Sequence, residues 1–108
     1  MNLFAGDKGS ISFNWTGTTE QMAAHIVEKV SRKVVGKFSF PAREGYQTLI
    51  KSGDNYTGKL TPEMTIKANT VGIDIEIKAF IDDENYASGR AEIAPEVIDN
   101  TLKSLEKL

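Results

Sequence analysis

The single histidine is the first residue of this chain that could do acid–base or metal chemistry. His25 is the only imidazole in 108 residues, and Glu28 follows it three positions later. On a helix this spacing would place both side chains on one face and offer half of a metal site. The chain has no second histidine and no cysteine. The sequence therefore favours a surface histidine over a catalytic or metal-ligating one.

A run of three acids, Asp82-Asp83-Glu84, is a second candidate site. Carboxylate oxygens are the ligands that Ca²⁺ and Mg²⁺ prefer. The spacing is not that of an EF-hand loop, because the glycine of its sixth position is missing. Solvated residues of a turn between strands are the simpler interpretation. We predict neither a metal nor a cofactor for this chain.

Basic residues are concentrated between positions 29 and 43, close in sequence to the aromatic Phe38 and Tyr46. Cations beside aromatic rings can bind single-stranded nucleic acid by charge and stacking. The whole chain, however, has a net charge of −2 and a pI near 5.4, whereas nucleic-acid-binding domains are usually basic. The sequence therefore argues against a nucleic-acid partner. The basic residues are Lys29, Arg32, Lys33, Lys37 and Arg43.

Three charged residues of two expected strands could support a carboxylate- or metal-dependent enzyme. Asp74, Glu76 and Arg90 would meet across that strand pair, but structural cross-strand ion pairs explain the same residues without catalysis. The sequence contains neither a phosphate-binding loop nor a dinucleotide fingerprint. An enzyme is therefore kept as an alternative, and the balance of the observations is against it.

Length and composition indicate one globular domain over residues 1–108. The chain is 40% hydrophobic and 26% charged, close to the average for soluble domains. Its longest apolar run is far below the roughly 20 residues that cross a bilayer. The first residues lack the basic and apolar regions of a signal peptide. Together with the lack of cysteine, these features predict a cytoplasmic protein without membrane contact.

Apolar spacing predicts two helices. An apolar stripe at helical spacing predicts an early helix over about 18–35, which would end near Gly36. Pro95 begins a second amphipathic stretch and predicts a C-terminal helix over about 95–107. The early stripe consists of Met22, Ala23, Ile26, Val27, Val30 and Val34.

Alternation of apolar and polar residues predicts the strands. Over 71–79 the isoleucines alternate with Asp74, Glu76 and Lys78, so one face should be buried and the other wet. The predicted fold is an α+β two-layer domain, in which about five to seven antiparallel strands form a meander that carries both helices on one face. Other expected strands include 10–15, 46–51, 56–60, 64–68 and 86–94, with extended backbone at 37–40 and a turn at 52–55.

The wet face of this sheet gives the leading functional hypothesis. Strict alternation places Phe80 on that face, and Phe38 and Phe40 share a face opposite Ser39. An apolar patch there would bind a protein partner or a second copy of the chain, unless a β-bulge near Ala79 turns Phe80 inward. We therefore predict a small non-enzymatic binding or assembly module, which could be a homodimer. Its predicted interaction residues are Phe38, Phe40 and Phe80.

A cavity between the sheet and the C-terminal helix is the second hypothesis. Such a cavity would make the protein a carrier of a small apolar ligand. The predicted lining residues are Met22, Ile26, Ile75, Ile77, Leu102 and Leu105.

Overall fold

Nine strands and one short helix run through the described residues of the computed structural model, which are 9–17, 19–93 and the backbone of 106–107. The chain is therefore mostly sheet, and the predicted α+β class with an early and a C-terminal helix is wrong. In chain order the elements are β1 (Gly9–Asn14), β2 (Gln21–Glu28), β3 (Val34–Phe40), β4 (Gln47–Thr48), β5 (Ile50–Ser52), β6 (Asn55–Leu60), α1 (Pro62–Thr70), β7 (Ile73–Phe80), β8 (Tyr86–Ile93) and β9 (Glu106–Lys107).

The strands form two sheets. The larger has the order β4-β3-β2-β7-β8-β9 and is antiparallel except for the parallel pair β3–β4. The smaller has the order β1-β6-β5 and is antiparallel throughout. After β4 the chain builds β5, β6 and α1, and then returns as β7 beside β2. This crossover, rather than the predicted meander, places β2 inside the larger sheet.

The segment predicted as the early helix, 18–35, contains strand β2 and the start of β3. Strand β2 pairs with β3 on one edge and with β7 on the other. Both of its faces are largely covered, so apolar residues occupy successive positions at Met22-Ala23-Ala24 and at Ile26-Val27 instead of alternating. Such a run fits helical spacing as well as an inner strand. The pairing on both edges therefore decides the conformation, and the spacing alone does not reveal it.

The segment 64–68, which alternation predicts to be a strand, is helical and belongs to α1. Thr61 caps this helix, since its side-chain oxygen accepts a hydrogen bond from the Met64 N–H at 3.3 Å. Pro62 and Glu63 then occupy the first turn, where both residue types are favoured. The Thr-Pro-Glu start signal therefore outweighs the short apolar alternation that predicts a strand here.

The predicted C-terminal helix over 95–107 is also wrong where the structure describes it. Glu106 and Lys107 form β9, which pairs antiparallel with Arg90 and Gly89 of β8. Residues 94–105, which include Leu102 and Leu105, lie outside the described residues. The observed end of this segment is thus an edge strand of the larger sheet.

The alternation predicted for β7 is confirmed. Ile73, Ile75, Ile77 and Ala79 are each at most 1% exposed and define what we call the inner face of the larger sheet. The corresponding positions of β8 are paired with them and also turn inward, as predicted. The hairpin turn predicted at 52–55 is likewise present, between β5 and β6.

The inner face is covered by the smaller sheet and by α1, not by two helices. On the side of the smaller sheet, Phe40 of β3 meets Tyr56 of β6 edge-on at 6.3 Å, and Phe13 of β1 stacks on Tyr56 at 5.5 Å. On the helix side, Met64 lies directly over Gly36 of β3. A Cβ at position 36 would overlap the Met64 Cε atom, so the flexible end of that methionine would have to move.

Gly36→Ala should lower the free energy of unfolding by about 0.5–1.5 kcal/mol, because the added methyl group forces the Met64 side chain out of its present rotamer. In a Met64→Ala background the overlapping atom is gone, so the same substitution should cost less. Urea unfolding of the wild type, both single variants and the double variant measures the difference. Equal costs in the two backgrounds would contradict the packing of α1 on β3.

Candidate functional site on the outer face of the sheet

The face of the larger sheet opposite the inner face, called the outer face below, carries most of the polar residues singled out from the sequence. Strand register places Lys37 beside His25, His25 beside Glu76, and Glu76 beside Arg90. This row crosses four strands and alternates in charge around the imidazole. The other outer-face side chains of these strands include Gln21, Ala23, Val27, Asp74, Lys78, Phe80, Tyr86, Ser88 and Glu92.

His25 and Glu28 do not form half of a metal site. Residues three apart in a strand point to opposite faces, whereas on a helix they would share one. Glu28 is buried on the inner side, and its carboxylate lies 3.6 Å from Lys67 Nζ of α1. Within the described residues, no three His, Asp or Glu side chains are grouped to hold a metal ion.

His25 instead meets Tyr46, which follows β3 in a surface loop. His25 Nε2 and Tyr46 Oη share a hydrogen bond of 3.3 Å. A turn shapes this loop, since the Tyr46 N–H donates to the Arg43 carbonyl at 3.1 Å and Gly45 has φ +82°. Glycine suits this position of a type II turn, which needs a positive φ. The turn thereby brings an aromatic ring from 21 residues away onto the imidazole.

Cations surround the His25–Tyr46 pair. The Arg43 guanidinium lies 4.8 Å from the centre of the Tyr46 ring, and Lys37 Nζ lies 5.6 Å from it. On the other side, Lys78 follows Glu76 on β7 and lies 5.0 Å from the centre of the Tyr86 ring. In the part of the chain that the structure describes, none of these three cations lies within 4.0 Å of a carboxylate oxygen.

A small depression adjoins the imidazole. It has a volume of about 180 Å³ and is lined by Ala23, His25, Glu76 and Lys78. We call it the His25 recess. Tyr46 is not part of this lining, but it contacts His25 through the hydrogen bond described above.

The environment of His25 lowers the pKa of its imidazole below the ordinary value of 6.5. Burial is the largest cause, and the positive charges of Lys37, Lys78 and Arg43 act in the same direction, whereas Glu76 opposes them. The folded protein therefore holds His25 in its neutral form at pH 7.

The carboxylates of the outer face are engaged in ion pairs. Arg32 of the β2–β3 turn contacts Glu76 and lies 3.0 Å from Asp74, while Lys29 lies 2.7 Å from Glu92. Hydrogen bonds to Asp74 and Glu76 raise the pKa of Arg32. Solvent screens such exposed pairs, so they contribute little to stability. The described ion pairs of Asp74 and Glu76 are thus made to Arg32 near the turn, whereas Arg90 is only the register neighbour of Glu76. An enzymatic role stays a prediction.

The three predicted interaction residues take different positions. Phe80 lies partly exposed on the outer face, and its ring centre is 5.5 Å from that of Tyr86. Strands β7 and β8 pair without interruption up to this point, so the alternative of a bulge at Ala79 is not observed. Phe38 and Phe40 do share a face, but it is the inner one. Phe38 is 1% exposed in the core, and Phe40 packs partly buried between the sheets.

Tyr86 is an outer-face residue that sequence reasoning missed. It is 51% exposed and directly opposite Phe80 in the β7–β8 hairpin. The signal was available, because a turn at 82–85 brings residues 80 and 86 side by side.

The predicted lining residues of a ligand cavity are brought together, but in the core. Met22, Ile26, Ile75 and Ile77 are each at most 1% exposed and belong to one packed cluster. Leu102 and Leu105 lie outside the described residues. The C-terminal helix that was expected to close the cavity is not observed at Glu106–Lys107, which form β9. The role of an apolar-ligand carrier stays a prediction.

Asp82 of the acidic turn caps the β7–β8 hairpin. Its Oδ1 atom accepts hydrogen bonds from the backbone N–H groups of Glu84 and Asn85 at 2.8 Å each, and its carboxylate also accepts from Asn85 Nδ2. These bonds stabilise the charged form and lower the pKa of Asp82. These hydrogen bonds account for Asp82 as a residue that stabilises the turn between β7 and β8.

Comparison with protein-family models, with curated proteins and with solved structures found no match to this chain. None of the described residues forms a helix that is long and apolar enough to cross a membrane.

Lowering the pH from about 7.5 to about 5 should destabilise the wild type relative to His25→Gln. The unfolded chain takes up a proton near pH 6.5, whereas the folded chain does so only at lower pH. The free energy of unfolding is therefore at its full value above pH 6.5, where His25 is neutral in both states. It decreases as the pH falls toward the pKa of His25 in the folded protein. Thermal melts of both proteins test this, and a pH-independent difference in Tm would contradict it.

Asp82→Ala should lower the Tm at neutral pH, because three hydrogen-bond donors of the turn lose their acceptor. Since the folded pKa lies below the ordinary 3.8, this stabilisation is present above pH 3.8 and is lost as the pH falls through the folded pKa. Thermal melts from neutral to acidic pH measure it. Asp83→Ala removes the adjacent exposed acid and is the control. Equal losses in both variants at neutral pH would refute the capping role.

Proposed function

We propose that this chain is a small non-enzymatic binding or assembly module that contacts a protein partner through the outer face. The observation that carries the proposal is the Phe80–Tyr86 pair, whose rings lie together on that face with Tyr86 half exposed. Aromatic residues and arginine are enriched in protein interfaces and supply most of the residues that dominate binding energy. A second copy of the chain is one possible partner.

The strands that carry the pair also favour binding. Phe80 and Tyr86 end two strands that are joined by eight successive residue pairs. Their backbone is therefore fixed before a partner arrives, and a tyrosine ring has only two side-chain torsions to order. Both facts reduce the entropy lost on association.

We expect this module to need neither a metal nor a cofactor. We also expect it to act in the cytoplasm, where a chain without cysteine is unaffected by reducing conditions. The charged groups around His25 would form part of the polar border of the contact surface.

The double variant Phe80→Ser/Tyr86→Ser tests this function. We expect it to recover at least about tenfold less partner from an extract of the protein's own cells, since residues of this type often contribute more than 1.4 kcal/mol to binding. Ile66→Ser is the matched control, because it removes an exposed apolar side chain from α1, outside the larger sheet. Unchanged Tm values establish that the variants fold.

Self-association is measured in the same series by analytical ultracentrifugation at increasing concentration. A concentration-dependent mass that the double variant abolishes and Ile66→Ser preserves would identify a second copy as the partner. A wild type that stays monomeric and gives the same recovered proteins as the double variant would contradict the proposed function.

A further inference from the structure

The His25 recess combines unneutralised positive charge with groups that can donate hydrogen bonds. Lys78 and His25 line the recess. Lys37 of β3 and Arg43 of the following loop lie outside its lining, over the Tyr46 ring that is hydrogen-bonded to His25, and their charges act on the imidazole. This arrangement is what an anionic group requires, because ionised donors form the stronger hydrogen bonds and arginine can bind a carboxylate with two parallel ones.

We propose that the His25 recess binds a carboxylate of an acidic segment of the partner protein, with Lys37, Arg43 and Lys78 supplying the compensating charge. The inference rests on the proposed function, and it adds the chemical class of the partner. The recess, at about 180 Å³, has room for one or two such groups.

The charges around the recess favour a short acidic segment over a nucleic acid. Glu76 lines the recess itself, and Asp74 and Glu92 follow on the same face toward the β2–β3 turn. An extended polyphosphate would run across these carboxylates and be repelled, since nucleic-acid affinity grows with the number of phosphates that cations neutralise. A single carboxylate requires less compensating charge, and the three cations that act on His25 outnumber the one acid that lines the recess.

The Phe80–Tyr86 pair indicates what accompanies the carboxylate. Lys78 and Phe80 are two residues apart on β7 and point to the same face, so they lie roughly 7 Å apart along the strand. A partner segment with an acidic residue next to an apolar one would therefore reach the recess and the aromatic pair together. Lys78 joins the two contacts, because its ammonium group already lies over the Tyr86 ring.

His25 reports on occupancy of the recess. The groups that face it are Lys37 on β3, Glu76 and Lys78 on β7, and Arg43 and Tyr46 in the loop. An anion among these cations would offset their repulsion of the imidazolium, so the pKa of His25 should rise when the recess is filled. Because the chain has one histidine, its imidazole signal in a proton NMR spectrum needs no further assignment.

The experiment is a pH titration of the His25 imidazole signal in the free protein and with an N-acetylated, C-amidated tetraglutamate peptide. We expect the peptide to raise the pKa of His25 in a saturable manner. In the Lys37→Ser/Arg43→Ser variant, in which both altered residues are exposed, the peptide should bind at least about tenfold more weakly. The matched control Lys59→Ser, which removes an exposed cation from β6 in the other sheet, should bind like the wild type.

Three results would overturn the inference. The first is a His25 signal that the peptide does not shift, and the second is equal affinity in the Lys37→Ser/Arg43→Ser variant. The third is tighter binding of inorganic phosphate or of a single-stranded oligonucleotide, which would make the recess a site for free phosphate or for nucleic acid.

The pull-down separates this inference from the proposed function. Suppose that Phe80→Ser/Tyr86→Ser loses the partner, that Lys37→Ser/Arg43→Ser keeps it, and that the peptide does not shift the His25 signal. The recess assignment then fails, and the proposed function stands. If the aromatic variant loses nothing while the peptide still binds, the proposed function fails and the recess remains an anion site without the assigned partner.

Discussion

The pairing of β2 along both of its edges is the constraint on which the rest of the structure depends. Eight residue pairs join β2 to β7, and six join it to β3. Its inner side chains pack in the core beside the isoleucines of β7. On its outer face, His25 lies between Lys37 and Glu76. Both the core and the candidate site therefore follow from one strand that lies between β3, the next strand in the chain, and β7, which is distant in sequence.

The inner face of the larger sheet stabilises the fold, and the outer face is available for recognition. The inner face is closed by the smaller sheet and by α1, and it supplies the apolar burial that stabilises the fold. The outer face contributes less to burial, so its composition is free to serve recognition. Its ion pairs at the β2–β3 turn neutralise the acids, whereas the cations near Tyr46 lie over aromatic rings. This difference leaves positive charge near His25 for a partner to neutralise.

How far the sequence predicts this structure depends on how each element is buried. Strand β7 has one buried and one exposed face, so the alternation of its residues predicts a strand and correctly assigns Phe80 to the outer face. Strand β2 is covered on both faces, so its apolar run mimics a helix, and α1 is short enough that its β-branched residues resemble a strand. The recess between β2 and β7 could not be predicted while β2 was expected to be a helix, and the Tyr46–His25 contact depends on a loop whose course no local pattern encodes.

The backbone conformation of Gln21–Glu28 tests the account most directly, since the sequence by itself favours a helix there. Nuclear Overhauser contacts and carbon chemical shifts across this segment report the conformation in solution. The structure predicts extended-strand shifts and cross-strand contacts along β2 and β7, for example between Ala24 and Ile77. Helical shifts with contacts between residues three apart over 18–35 would contradict it, because the paired sheet and the His25 recess could not then exist.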